Sequence, residues 1–364
     1  MVTKRRCKYR HIGRSFPPRQ TTLHVPFLIA ENIQNSAVPE KLLPASTTFC
    51  MLKAITNKLF GSGTTDRRLL NARAIICDLD GTLLNRDEMI GAATSQIITA
   101  LRAAGIQFIL ATRRHHQAAE PYADLLHLDT PIISLDGAMI SLPHQSSPMF
   151  TAPFDQEFAR DILEEIEQTS EAKFCAVTPG CLFVSDANMA LPVQHHHWNI
   201  NTQTVDSAAA VQQPIIEVIA TGGYHSVNAV YSYIEAKMKK GELKVRLYES
   251  RSRQQSWILE ARPRNANKQT AADQIVASLG IAMKQVIAIG DYYNDVELCR
   301  KAGFAVAMQN AVPELKQIAD YVTNRPCLDD GIDDFLETLM EVRGLQHRPH
   351  GEQTEQPQQR QRSR

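Results

Sequence analysis

The sequence predicts an α/β protein in which a parallel sheet is interrupted by an inserted α+β domain. Short apolar runs alternate with amphipathic stretches over about residues 71–142 and again over 256–344, and the rhythm breaks across 143–255. Charged or hydroxyl residues follow directly on several of the apolar runs. Alternating strands and helices imply parallel pairing with helices on both faces, and in such sheets ligands bind beyond the carboxyl ends of the strands. At 364 residues the chain is long enough for two domains with separate cores.

Residues 1–70 read as a basic, disordered extension: "MVTKRRCKYRHIGRSFPPRQ" contains no acid, and none occurs before Glu31. Organelle targeting is the alternative reading, and Met51 would also serve as a beginning. "AIIC" from Ala74 is the first strand. "GAATSQIITALRAAG" places Ile97, Ile98 and Leu101 at helical spacing and ends on Gly105, where a helix-terminating glycine belongs. "IQFILAT" is a buried strand, "HHQAAEPYADLLHL" a poorer helix containing Pro121, and "PIISLDGAMI" a strand that ends in a turn. The insert contributes an amphipathic helix, "DQEFARDILEEIEQ", then "KFCAVT" and "CLFVSD" as paired strands, a second helix, "HSVNAVYSYIEAKMKK", and the strand "LKVRLYES". From "SWILEAR" the first rhythm returns, with helices "NKQTAADQIVASLG", "NDVELCRKAG" and "AVPELKQIAD" alternating with strands "QVIAIGD", "FAVAM" and "YVTN". Residues 345–364 read as a disordered polar tail.

Lysines and arginines number 39, as do aspartates and glutamates, so the formal net charge is zero. That balance offers no reason to expect nucleic acid or an acidic membrane as partner. No apolar run approaches a bilayer-spanning length, and the chain is expected to be soluble and cytoplasmic. Its seven cysteines are scattered and form no CxxC pair, which fits reduced thiols. Cys77 alternates away from the neighbouring aspartates and reads as core packing.

Asp78 and Asp80 are separated by one residue at the end of an apolar strand and are followed by Gly81 and Thr82. Strand alternation gives the two carboxylates the same initial direction, and like charges that close raise one pKa unless a cation or ligand lies between them. Thr112 in "ILATRR" and Asp291 to Asp295 in "IAIGDYYND" also follow strands, while Lys268 precedes a helix. These groups are expected to converge on one rim, where Asp78, Asp80 and Asp291 form a hard oxygen cage suited to Mg2+.

"DLDGTLL", "LATRR", the lysine of "NANK" and "GDYYND" resemble the four motifs of the haloacid dehalogenase superfamily. The long insert after the second motif is similar to that of its Cof-type phosphatases. The resemblance covers about residues 73–340. It implies a Rossmann-like core in two parts, 71–142 and 256–344, with the insert 143–255 acting as an α+β cap. It also implies a Mg2+-dependent phosphoric monoester hydrolase that acts on a small phosphorylated metabolite, as a monomer or homodimer. Asp78 would be the nucleophile that becomes an aspartyl phosphate, and Asp80 the general acid and then base. Lys268 would supply charge, Thr112 a hydroxyl and Asn294 a contact to lysine or substrate. The metal would sit on Asp78, the Asp80 carbonyl and Asp291, with Asp295 in support. Threonine replaces the second aspartate in P-type pumps, which preserve their acyl phosphate, so Asp80 favours hydrolysis. A retired phospho-ligand-binding protein and a phosphotransferase or mutase are the alternatives.

Three positions depart from the family pattern. Arg113 stands where glycine is usual, Asp136 where asparagine precedes Gly-Ala, and Gln269 where glycine follows the lysine. Arg113 is read either as an anchor for a second anionic group on the substrate or as a solvent-facing side chain. The run His195 to Trp198 reads as a cap loop, since consecutive residues rarely chelate one ion. Asp329 and Asp330 before Gly331 read as a helix-starting turn.

Overall fold

The computed structural model describes residues 66–345, apart from 146, 153, 170, 190, 192–199, 239–241 and 251–252. The basic arm, the alternative start at Met51, nearly all of the polar tail and the His195–Trp198 run lie outside the described residues. Among the described residues no helix is long and apolar enough to cross a membrane.

Strand β1 (Ala74–Cys77) is followed by the helix Ala92–Ala103, β2 (Gln107–Leu110), the helix His116–Leu125 and β3 (Ile132–Ser134). Every residue of β1 is fully buried, the signature of a strand covered on both faces. The chain then turns through Leu135–Gly137 into β4 (Met139–Ser141), and β5 (Phe150–Thr151) pairs antiparallel with β4. "PIISLDGAMI" is therefore two antiparallel strands, where a single strand was expected. Leu135, Asp136 and Gly137 all have positive φ, with Gly137 at 95°, and this reverses the chain.

The insert carries the helix Gln156–Gln168, β6 (Lys173–Val177), β7 (Leu182–Val184), β8 (Thr202–Thr204), β9 (Glu217–Gly222), the helix Tyr224–Lys237, β10 (Leu243–Glu249) and β11 (Trp257–Pro263). These strands form one sheet in the order β10-β11-β9-β6-β7-β8. The expected return to the core at residue 256 is corrected: "SWILEAR" is β11, an interior strand of the cap sheet. It is buried on both faces, and its apolar residues Ile258, Leu259 and Ala261 resemble those of a core strand, while the buried Glu260 and Arg262 and its pairing set it apart. The near boundary also shifts, because β5 still pairs with β4. "EVIATG", central in the sheet as β9, went unread in the sequence.

The core resumes with the helix Lys268–Ser278, β12 (Val286–Gly290), the helix Val296–Lys301, β13 (Phe304–Ala307), the helix Pro313–Ile318, β14 (Tyr321–Val322) and the helix Asp333–Val342. Its sheet runs β14-β13-β12-β1-β2, entirely parallel, and β3 joins the β2 edge through a parallel bridge between Ala111 and Ile133. The first half of the chain builds outward from β1 on one side and the second half from β12 on the other. The switch point, where ligands bind in such sheets, lies between β1 and β12.

On the cap sheet, alternation assigns the two faces. Phe174, Ala176, Val218, Ala220, Leu259 and Ala261 pack under the cap helices. Cys175, Val177, Leu182, Ile219 and Ile258 face the core and pack with Leu135, Met139 and Ala152.

Candidate active site

β1 ends at Cys77, so Asp78 emerges at the switch point and the chain turns at once through Leu79–Leu83. Gly81 makes the turn with φ 85°, and a Cβ there would run into the Asp291 carboxylate. Lys268 opens its helix, which Asn267 caps by accepting a hydrogen bond from the Thr270 N–H at 2.8 Å. The fully buried Lys268 ammonium donates to Asp78 Oδ1 at 2.5 Å and to Asp295 Oδ1 at 2.8 Å. The other Asp295 oxygen accepts the N–H groups of Asp291 and Tyr292, each at 3.1 Å. Thr82 donates to Asp291 Oδ1 at 3.2 Å, and Asn310 bridges Gly81 O and Asp291 Oδ2.

Asp78, Asp291 and Asp295 each offer an oxygen within 4.8 Å of the others. Burial pushes the Asp78 carboxyl well above the usual range, with the like charges of Asp295 and Asp291 adding to it and Lys268 only partly offsetting them. Burial and then Asp295 push Asp291 up to about 7. With all three carboxylates ionised around one ammonium the cluster would be net anionic out of water, which is why Asp78 and Asp291 hold their protons more tightly than free carboxyls do. The all-oxygen donor set suits a hard divalent cation, and a cation there would reverse the upward push on both carboxyls.

The expectation that the Asp80 carboxylate joins this cluster is corrected. The strand ends before it can carry Asp80 to the same face, and Arg114 takes both its oxygens, at 2.8 and 2.5 Å. Arg114 is itself fixed by Tyr122, which accepts a hydrogen bond at 3.0 Å beneath the guanidinium. Asp80 thus stands apart at the cavity, 48% exposed. Thr112 is fully buried; its Oγ1 accepts the Arg114 N–H at 3.0 Å, leaving the hydroxyl hydrogen to donate elsewhere. Asn294 lines the cavity and donates to Asp136 Oδ1 at 2.7 Å. Cys77 is buried core, as read from alternation. The Cys327–Asp329 turn precedes the last helix, and Asp330 accepts from Asn85 at 3.3 Å.

Two of the three departures from the family pattern meet the cap. Arg113 lines the cavity and forms an ion pair with the buried Glu260 of β11, so it does not turn outward into solvent and part of its guanidinium is already committed. The cause is Glu260, a carboxylate on the cap strand with 3% exposure that needs a counter-charge. Asp136 accepts from Arg262 of the same strand at 2.5 Å. Burial raises the Asp136 carboxyl, but Arg262, Arg113 and Lys268 outweigh it and hold the group far below the usual range. Gln269 reaches along its own helix to Asp273.

A cavity of about 1110 Å³ opens over these groups. Asp78, Asp80 and Asp291 form its floor, with Arg113, Arg246 and Tyr248 on the cap side. Arg246, Tyr248, Glu260, Arg262, Asn310 and the Tyr122 brace were all missed in the sequence. A strand of alternating Lys244, Arg246 and Tyr248 on one face was the available signal for the cap residues; Asn310, a polar residue soon after a strand, was a weaker one.

A sequence profile described as haloacid dehalogenase-like hydrolase matches residues 75–336. The chain is 26% identical over 268 residues to a 5-amino-6-(5-phospho-D-ribitylamino)uracil phosphatase of Bacillus subtilis, covering 72% of this chain and 95% of that protein. It is 27% identical over 263 residues to a pyridoxal phosphate phosphatase of Escherichia coli, covering 70% and 93%. Among solved structures, a haloacid dehalogenase-like hydrolase from Bacteroides thetaiotaomicron superposes with a TM-score of 0.64 at 22% identity, over 74% of this chain and 99% of that one.

Proposed function

The chain belongs to the haloacid dehalogenase-like hydrolases, and from that membership and the site geometry we propose that it is a Mg2+-dependent phosphatase of small phosphorylated metabolites, working through an aspartyl phosphate on Asp78. The observation that carries this reading is the buried Asp78 at the switch point, held by Lys268 beside Asp291 and Asp295, with Asp80 standing separately at the same cavity. Both relatives named above are phosphatases of phosphorylated small molecules, which supports the substrate class.

Asp78, the Asp80 carbonyl, Asp291 and Asp295 would hold Mg2+, which when bound supplies positive charge to the phosphoryl oxygens. One Asp78 oxygen attacks phosphorus as the ester oxygen departs. Lys268, fixed between Asp78 and Asp295, reduces the repulsion between carboxylate and phosphate. The Thr112 hydroxyl would donate to a phosphoryl oxygen that reaches it. Asp80 delivers a proton to the departing oxygen and then removes one from the water that opens the acyl phosphate. To do so it releases at least one of the two hydrogen bonds from Arg114, and its partial exposure gives it room.

Phosphate release from a panel of sugar phosphates, pyridoxal phosphate, FMN, nucleotides and p-nitrophenyl phosphate tests the reading. Release with Mg2+ and loss of release with EDTA are expected; no release from any ester in Mg2+ overturns it.

A further inference from the structure

On β10, Arg246 and Tyr248 lie on one face, and Arg246 sits directly across the ladder from Glu260 of β11. A cross-strand ion pair would be the ordinary outcome. Instead the Glu260 carboxylate takes the Tyr248 hydroxyl at 2.6 Å and the Arg113 guanidinium from the core loop. Arg262, two residues along, is committed to Asp136, and its Nη1 finds no partner among the described residues. Arg246 makes no hydrogen bond or ion pair among the described residues, although its side chain is partly buried and lines the cavity. Burial first, and then the neighbouring Arg113 and Arg262 guanidiniums, push its pKa down against the pull of Asp136 and Glu260. Among the described residues Arg246 is thus an uncommitted guanidinium on the cap side, and it lines the same space as Asp78.

We propose that Arg246 is the anchor for a second anionic group, a carboxylate or a second phosphate, on the part of the substrate that leaves. The proposal rests on the phosphatase reading for the position of the first phosphate, at Asp78 and Lys268. A guanidinium binds either anion through two parallel N–H donors. Tyr292 and Tyr293 line the same cavity with their rings edge to face, 5.0 Å apart, and give the carbon skeleton between the two anions an apolar wall.

The test compares ribose 5-phosphate, which has one anionic group, with 6-phosphogluconate and fructose 1,6-bisphosphate, which add a carboxylate or a second phosphate. Binding is measured by calorimetry on full-length Asp78→Asn protein, where no turnover intervenes, and kcat/KM on the protein with Asp78 intact. Arg246→Gln should weaken binding of at least one doubly anionic compound on the order of tenfold to a hundredfold, with ribose 5-phosphate changed less than about twofold. Arg246→Lys should recover part of the loss, which a purely structural defect would not. The compound that responds identifies the second anion. Equal shifts across all three compounds, or no doubly anionic compound binding more tightly than ribose 5-phosphate before Arg246 is changed, overturns the anchor. Should discrimination persist in binding while no ester is hydrolysed with Mg2+, the phosphatase reading fails and the anchor stands.

Discussion

Among the described residues Asp78, Asp291 and Asp295 share a single cation, Lys268, on the floor of the cavity, whereas its cap side gathers Arg113, Arg246 and Arg262 around Glu260, Asp136 and Glu217. Both clusters are largely buried, and with the floor carboxyls ionised and Glu217 of β9 protonated they are unbalanced in opposite directions. An anionic pocket out of water is a place for a cation and a cationic one is a place for an anion, because each imbalance raises the free energy of the empty site and lowers it on binding. The floor draws its groups from loops at the switch point of one sheet. The cap-side cluster is made between two sheets, so its pairs also fix how the cap sits over the chemistry.

The comparison is broken most severely at the floor. Asp78→Asn should lower phosphate release by roughly three orders of magnitude or more, since the amide cannot form the acyl phosphate. The same change removes a carboxylate whose pKa is pushed up, so thermal denaturation without metal should show stability unchanged or raised. Lys268→Met should do the reverse to stability, costing about 3–5 kcal/mol because the buried carboxylates lose their partner. A fall in stability for Asp78→Asn as large as that for Lys268→Met would mean that the floor is not anionic in surplus.

At the cap, Asp136→Asn restores the residue usual in the family but leaves Arg262 without its carboxylate, and should cost about 3 kcal/mol in urea denaturation. Adding Arg262→Met should recover most of that loss if the pair is a self-contained link between cap and core. Additive losses in this double-mutant cycle would show that the two residues act independently.

Mg2+ should sharpen the contrast, since on the proposed reading it would bind only one of the two clusters. At a hundred times its dissociation constant it should raise stability by about 2.7 kcal/mol, read as a higher Tm. Asp291→Asn should remove most of that gain, while Glu260→Gln should leave it intact.

Much of the floor was legible in the sequence because its residues sit a fixed step beyond strands. β1, β2, β12 and the helix opened by Lys268 carry them to one rim whatever the rest of the chain does. Asp80 was misplaced because alternation holds only while a strand continues, and the strand stops at Cys77 before Gly81 turns the chain. The cap-side cluster was far less legible. Arg113 is set by Glu260, 147 residues away, and neither residue carries a local sign of the other. β11 was assigned to the wrong sheet because burial on both faces calls for the same apolar residues, here Ile258, Leu259 and Ala261, in parallel and antiparallel settings. Local chemistry could be read from motif and spacing, whereas pairing between sheets required the fold.

The smallest expected effect tests whether the cap side is cationic in surplus at neutral pH. Glu217, a buried residue of β9, would restore balance there if fully ionised, but burial first and then the like charge of Glu260 push it up to about 7, against the pull of Arg262 and Arg113. A carboxyl raised in the folded state binds its proton more tightly there than in the unfolded chain. Its contribution is therefore most favourable at low pH and declines as pH rises from about 4.5, the ordinary value, to about 7. Glu217→Gln removes that decline. Compared across pH, the Gln variant should gain on the unsubstituted protein by on the order of 2 kcal/mol between pH 5 and 8. A difference in stability that stays flat over this window would mean that Glu217 is ionised throughout, which would give the cap side an additional anion and leave Arg246 facing a balanced cluster.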